Sequence, residues 1–112
     1  FSFAKDMVLF QTYLISRQVK FTIGECWRRY STQKWLYENH WSNTLRSDHM
    51  YKLAEDLFFW IGGKYIDNSV GNFEMLEPIG IKWESFNPNN YWGGRYKVRG
   101  GRLDSNHFGQ HR

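Results

Sequence analysis

Near the C-terminus, the strip Tyr91-Trp92-Gly93-Gly94-Arg95-Tyr96-Lys97-Val98-Arg99-Gly100-Gly101-Arg102 interleaves cations with aromatic rings. That combination can neutralise phosphates and stack on the bases of single-stranded RNA. Arg, Tyr and Trp also dominate protein–protein contacts. A net charge of only +4 favours a protein partner, because a dedicated nucleic-acid binder concentrates more basic residues. Tyr91, Trp92, Arg95, Tyr96, Arg99 and Arg102, with Phe108 further along the same arm, therefore read as partner-binding residues.

Other constellations are thinner. His107 and His111 stand four apart and would share a helix face, where they could take a metal. Gly109 between them opposes a helix, and only Asp104 is near enough in sequence to add a donor, so no metal site is expected. Cys26 with His40 or His49 could be imagined as a nucleophile and base, but no orienting pattern surrounds them, and a buried structural cysteine is the simpler reading. Glu55 and Asp56 are neighbours that would diverge by about 100° on a helix, so they make no carboxylate pair there. The glycine pairs beginning at Gly62, Gly93 and Gly100 lack the strand-to-helix context of a phosphate-cradling loop. No catalytic residue and no cofactor is expected.

The elements that would carry these residues read as mainly α. Phe3, Met7, Phe10, Leu14 and Phe21 fall on a seam of alternating four- and three-residue steps, broken only by Arg17, and predict a first helix over about 4–22. Val8, Leu9, Tyr13, Ile15 and Val19 widen its apolar surface beyond one stripe, which calls for cover from outside. A second helix is predicted over 25–39 after Gly24. A third is predicted over 47–61, with Ser47 as N-cap, Asp48 in the first turn, Met50, Leu53, Ala54, Leu57, Phe58 and Ile61 on one face, and Gly62-Gly63 as the stop. Its other face carries Lys52, Glu55, Asp56 and Phe59, which makes Phe59 a further partner-contact candidate. Beyond Gly63 the helical period is lost. Extended pieces are expected at Ile79 to Trp83 and Arg95 to Arg99, with at most a short hairpin. The domains would be a helical unit over 1–63 and an extended arm over 64–112 that wraps partner subunits.

Composition narrows the setting. One cysteine allows no internal disulfide, and no Asn opens an N-x-S/T sequon, so the chain leans away from a secreted domain. The longest apolar run, Leu57 to Ile61, is far short of the ~20 residues a membrane-spanning helix needs. After Ser85 five Lys/Arg stand against a single acid, Asp104, which suits a docking end aimed at an acidic protein, an anionic lipid surface or phosphate. A start at Phe1 reads as loss of an organellar leader.

Together these features describe a non-catalytic structural or accessory subunit of a large multi-subunit assembly. A mitochondrial inner-membrane complex such as a respiratory-chain complex or ATP synthase fits the composition, with other protein subunits as partners and peripheral contact with lipid headgroups. The alternative is an RNA-contacting protein of an organellar ribosome that uses the basic aromatic arm.

Overall fold

The computed structural model describes residues 1–42, 44, 51 and 53–111, with the backbone alone at Arg99. Among the described residues, three α-helices, α1 (Ser2–Ser16), α2 (Tyr30–Glu38) and α3 (Phe73–Ser85), accompany five strands, β1 (Lys20–Ile23), β2 (Ala54–Ile61), β3 (Lys64–Ile66), β4 (Asn90–Trp92) and β5 (His107–Gln110). The strands form one antiparallel sheet in the order β1-β2-β5-β4, with β3 paired to β2 as well. The architecture is α+β, which corrects the expectation of a mainly helical chain trailing an extended arm.

The largest departure is at β2. Leu57, Phe58, Ile61 and Ala54 satisfy a helical spacing, but the run Leu57-Phe58-Phe59-Trp60-Ile61 is also rich in the aromatic and β-branched residues that suit a pleated surface. Gly62 and Gly63 decide the matter locally. Both have positive φ, +61° and +77°, and they link Ile61 to its cross-strand partner Lys64 as a two-residue hairpin turn. The glycine pair is thus a hairpin tip rather than a helix stop. Ser47, Asp48, His49, Met50 and Lys52, the rest of the expected third helix, lie outside the described residues.

Helix α1 buries Phe3, Met7, Phe10 and Leu14, the stripe its spacing predicts. It ends at Ser16 rather than continuing to residue 22, and Gln18 takes a left-handed φ of +59° before the chain turns into β1. Phe21 therefore lies on a strand, opposite Phe59. Helix α2 starts at Tyr30, not 25. In α3, Ile79, Ile81 and Trp83 alternate in sequence, but Leu76, Ile79, Gly80 and Trp83 are the buried set, a helical i, i+3, i+4, i+7 face.

Both α1 and α3 lie against the same face of the sheet. Phe10 meets Trp83 at 5.4 Å and Phe108 at 5.1 Å, and Phe3 packs edge-on to Trp83 at 5.7 Å. The core that results joins Leu57, Phe59, Ile66, Leu76, Ile79, Trp92 and Phe108 to the α1 stripe. Trp92 and Phe108 of the supposed arm are therefore core of this chain, while Val8, Leu9 and Ile15 of α1 stay exposed. Among the described residues no helix is long and apolar enough to cross a membrane.

Candidate functional site

The side chains of a strand alternate between its two faces, and the register of β2, β5 and β4 turns this rule into a site. Glu55, Phe108 and Gln110 face the helical layer: Gln11 of α1 donates to Glu55 Oε1 at 2.6 Å, and Gln110 Nε2 donates to Asp6 Oδ2 of α1 at 3.1 Å. Asp56, His107 and Tyr91 consequently project from the opposite face. Asp56 and His107 are direct cross-strand partners, and Tyr91 lies opposite Gly109 on the next strand.

Three groups converge on His107, whose side chain is only 11 % exposed. Its Nδ1 lies 3.5 Å from Asp56 Oδ1 and 4.0 Å from Asp104 Oδ2, while its Nε2 is 2.9 Å from the Tyr91 hydroxyl. Asp104 reaches the site through a turn in which its carbonyl accepts from the His107 N–H at 3.0 Å and its own N–H donates to Tyr96 O at 2.9 Å. That turn needs space at Gly93, where an added Cβ would fall 2.3 Å from the Asp104 carbonyl oxygen. Asp56 is held by its backbone as well. Its N–H donates to Glu25 O at 2.9 Å, and its carbonyl accepts from Gly24 N–H at 2.7 Å.

The segment after β1 is tied down behind this point. Arg28 pairs with Glu25 and donates through NH1 to Gln33 Oε1 at 2.5 Å. Gln33, fully buried, donates through Nε2 to Ser42 Oγ at 2.8 Å and Thr44 O at 2.5 Å. Cys26 lies in the same segment and is exposed, contrary to the buried structural role read from sequence. Its thiol is pushed up to about 11, first by desolvation and then by the negative charge of Glu55, Asp56 and Glu25. At pH 8 the thiolate fraction is then on the order of 10⁻³, which leaves Cys26 a poor nucleophile. Iodoacetamide alkylation of Cys26 should therefore keep accelerating towards pH 11, and Cys26→Ser should leave any hydrolytic activity unchanged. A rate that levels off near pH 9 would show a thiol without these acidic neighbours.

The donor set around His107 suits a divalent ion in part. Two ligand atoms on a tetrahedral ion with bonds of about 2.0–2.1 Å stand roughly 3.3 Å apart, close to the Asp56–His107 separation of 3.5 Å. Asp104, at 4.0 Å and with its side chain 43 % exposed, stands beside that pair. Among the described residues no group of three assembles a complete metal-binding set.

The residues singled out in the sequence are dispersed. Phe59 and Phe108 meet in the core at 5.9 Å, and Trp92 is fully buried, with Nε1 donating to Ser105 O at 2.8 Å. Arg95 binds both oxygens of Glu84 and lies over the Trp92 ring at 5.8 Å. The Arg95 guanidinium holds the Glu84 carboxyl below the usual range. Tyr96 is exposed and edge-on to Tyr91, and Arg102 donates to Asn68 Oδ1 at 2.9 Å. The Arg99 side chain and His49 lie outside the described residues, and His40 is exposed at the end of α2. Among the described side chains of the partner-binding set, Tyr91 is the one that reaches His107. His107 and His111, weighed as a helical pair, sit on β5 and just past it, with His111 stacked on Tyr91 at 4.6 Å. On a helix Asp56 would be a solvated surface residue; the hairpin at Gly62-Gly63 instead puts it on a strand opposite His107.

No protein-family model and no curated protein matches this chain. Among solved structures, the chain is similar to the Serratia marcescens L-Ala D-Glu endopeptidase ChiX, with a TM-score of 0.70 and 20 % identity over 97 % of this chain and 77 % of that one. The likeness is one of fold. It overturns the reading of a non-catalytic accessory subunit and, with it, the placement in a mitochondrial respiratory-chain complex or ATP synthase. The strip on which the RNA-contacting alternative rested is not a free arm: Tyr91 and Trp92 belong to β4, and the turns that follow lead back into β5 of the same sheet. The expectation that the chain is no enzyme loses its basis likewise, because it rested on a fold the chain does not have, and the fold it does have is that of a solved endopeptidase.

Proposed function

We infer that this chain is a metal-assisted peptidase that hydrolyses an amide bond in short peptides, with the L-Ala–D-Glu linkage as the first bond to test. The observation that carries the reading is the convergence of Asp56 and Asp104 on Nδ1 of a nearly buried histidine, on the face of the sheet away from the helical layer. The fold it shares with an L-Ala D-Glu endopeptidase supports the same class of reaction.

Asp56 and His107 would hold a divalent cation, one from each of two paired strands, so that the backbone ladder fixes their separation. Such an ion supplies Lewis-acid polarisation of the scissile carbonyl and lowers the pKa of a bound water. Asp104, more exposed and slightly removed, is placed to accept a proton from the attacking water and return it to the leaving amine. The hydroxyl of Tyr91 holds the far side of the His107 ring. His49 stands seven residues before Asp56 in the sequence and is the natural candidate to test as a further ligand.

The test is direct. The full chain, freed of metal and reloaded with zinc, is incubated with a peptide containing one L-Ala–D-Glu bond, and the products are identified by mass spectrometry. Cleavage at that bond, abolished by chelator and restored by zinc, is the expected result. Asp56→Asn and His107→Ala should lose zinc binding and cleavage together, and His49→Ala asks whether that histidine belongs to the set. Zinc binding that is indifferent to Asp56→Asn and His107→Ala would sink the reading.

A further inference from the structure

We propose that Tyr91 is a positioning residue for His107, accepting a hydrogen bond from Nε2–H so that the Nδ1 lone pair is presented to a metal beside Asp56. The proposal rests on the metal-assisted reading above and adds to it the group that sets the working tautomer.

The geometry begins with the ring. A neutral imidazole has one N–H donor and one lone pair, and a ligand histidine must offer the lone pair to the metal and find an acceptor for the proton left on the other nitrogen. In His107 the nitrogen facing the carboxylates is Nδ1, and the nitrogen facing the Tyr91 hydroxyl is Nε2, at 2.9 Å. The 2.9 Å contact has the length of a full hydrogen bond, while the 3.5 and 4.0 Å separations on the Nδ1 side do not. The 3.5 Å separation is close to that of two ligand atoms on one tetrahedral ion. A hydroxyl can accept as readily as it donates, so Tyr91 can take the Nε2 proton whenever Nδ1 is engaged.

The surroundings fix where that hydroxyl lies. Tyr91 is stacked on His111, with ring centroids 4.6 Å apart and planes within 25°. Its ring lies against Gly109, where an added Cβ would come within 2.5 Å of the phenol. A side chain at residue 109 would lift the ring off the strand and move its hydroxyl away from Nε2. Gly109 is in this sense part of the device: its bareness lets a tyrosine from the neighbouring strand reach the far nitrogen of His107.

Tyr91→Phe keeps the ring and removes only the acceptor. Zinc affinity, read by competition with a chromophoric chelator, should weaken about 10–100-fold, the usual effect of losing the outer partner of a ligand histidine. The metal-free protein should stay folded, its urea midpoint lowered only by the loss of this one hydrogen bond, and in zinc-loaded protein the His107 Nε2 proton, followed by ¹⁵N NMR, should exchange faster with water. Gly109→Ala should weaken zinc binding in the same direction, and the double variant should be no weaker than Tyr91→Phe alone. A Tyr91→Phe affinity within about twofold of wild type, with His107→Ala still abolishing binding, overturns this inference and leaves the peptidase reading standing. Failure of the wild-type chain to bind zinc at all overturns both.

Discussion

For the proposed zinc peptidase, Asp104→Asn should lower the rate of L-Ala–D-Glu hydrolysis by about 10²–10⁴ while zinc affinity stays close to that of wild type. The substitution keeps the size of the side chain and its hydrogen-bonding reach, but an amide cannot take up a proton as a carboxylate does. Position is the reason for assigning this work to Asp104. It lies 4.0 Å from His107 Nδ1, further than Asp56, and its side chain is nearly half exposed, where a water and a peptide amide can both reach it. Asp56 sits inside the ladder at 3.5 Å and is better placed to stay on a cation. Measuring kcat and zinc affinity on the same preparation separates the two roles. A variant that loses zinc in proportion to activity would make Asp104 a ligand and leave the proton transfer without its carrier.

Trp83→Ala should cost about 3–5 kcal/mol of folding stability, a large share of the 5–15 kcal/mol a domain usually has. Trp83 is fully buried at the centre of the aromatic core, tilted against Phe10 and edge-on to both Phe3 and Phe108. Its Nε1 donates to Gly109 O at 3.0 Å and to Tyr91 O at 3.2 Å. One indole therefore ties α3 to β4 and β5, the strands that carry Tyr91 and His107. Trp83→Phe, which keeps most of the volume and loses the donor, should fall between wild type and the alanine variant in urea unfolding at 25 °C. An alanine variant within about 1 kcal/mol of wild type would mean that the core does not depend on this ring as its burial implies.

The burial of α1 could be read from the chain, because Phe3, Met7, Phe10 and Leu14 repeat at the spacing of one helix face and few other arrangements use that spacing. The reading failed where periods overlap. Leu57, Phe58 and Ile61 fit a helix, while Leu57, Phe59 and Ile61 fit a strand, and a short apolar run cannot distinguish them. Gly62-Gly63 held the answer, since a pair of glycines ends a helix or tips a hairpin equally well until their φ values are known. A second error followed from the first. A helix over 47–61 leaves no strand for β5 to pair with, and Trp92 and Phe108 then read as rings that need an outside neighbour.

What the amino-acid order settled is local: the apolar face of α1 and a break at Gly62-Gly63, whose left-handed hairpin geometry came only with the pairing of β2 and β3. The site was decided by long-range pairing alone. Asp56 and His107 are unremarkable in sequence and far apart along it, and only the antiparallel register of β2 with β5 makes them partners. Strand alternation then turns Glu55 and Phe108 inwards and Asp56 and His107 outwards, so a one-residue slip would have placed the carboxylate in the core and left no site.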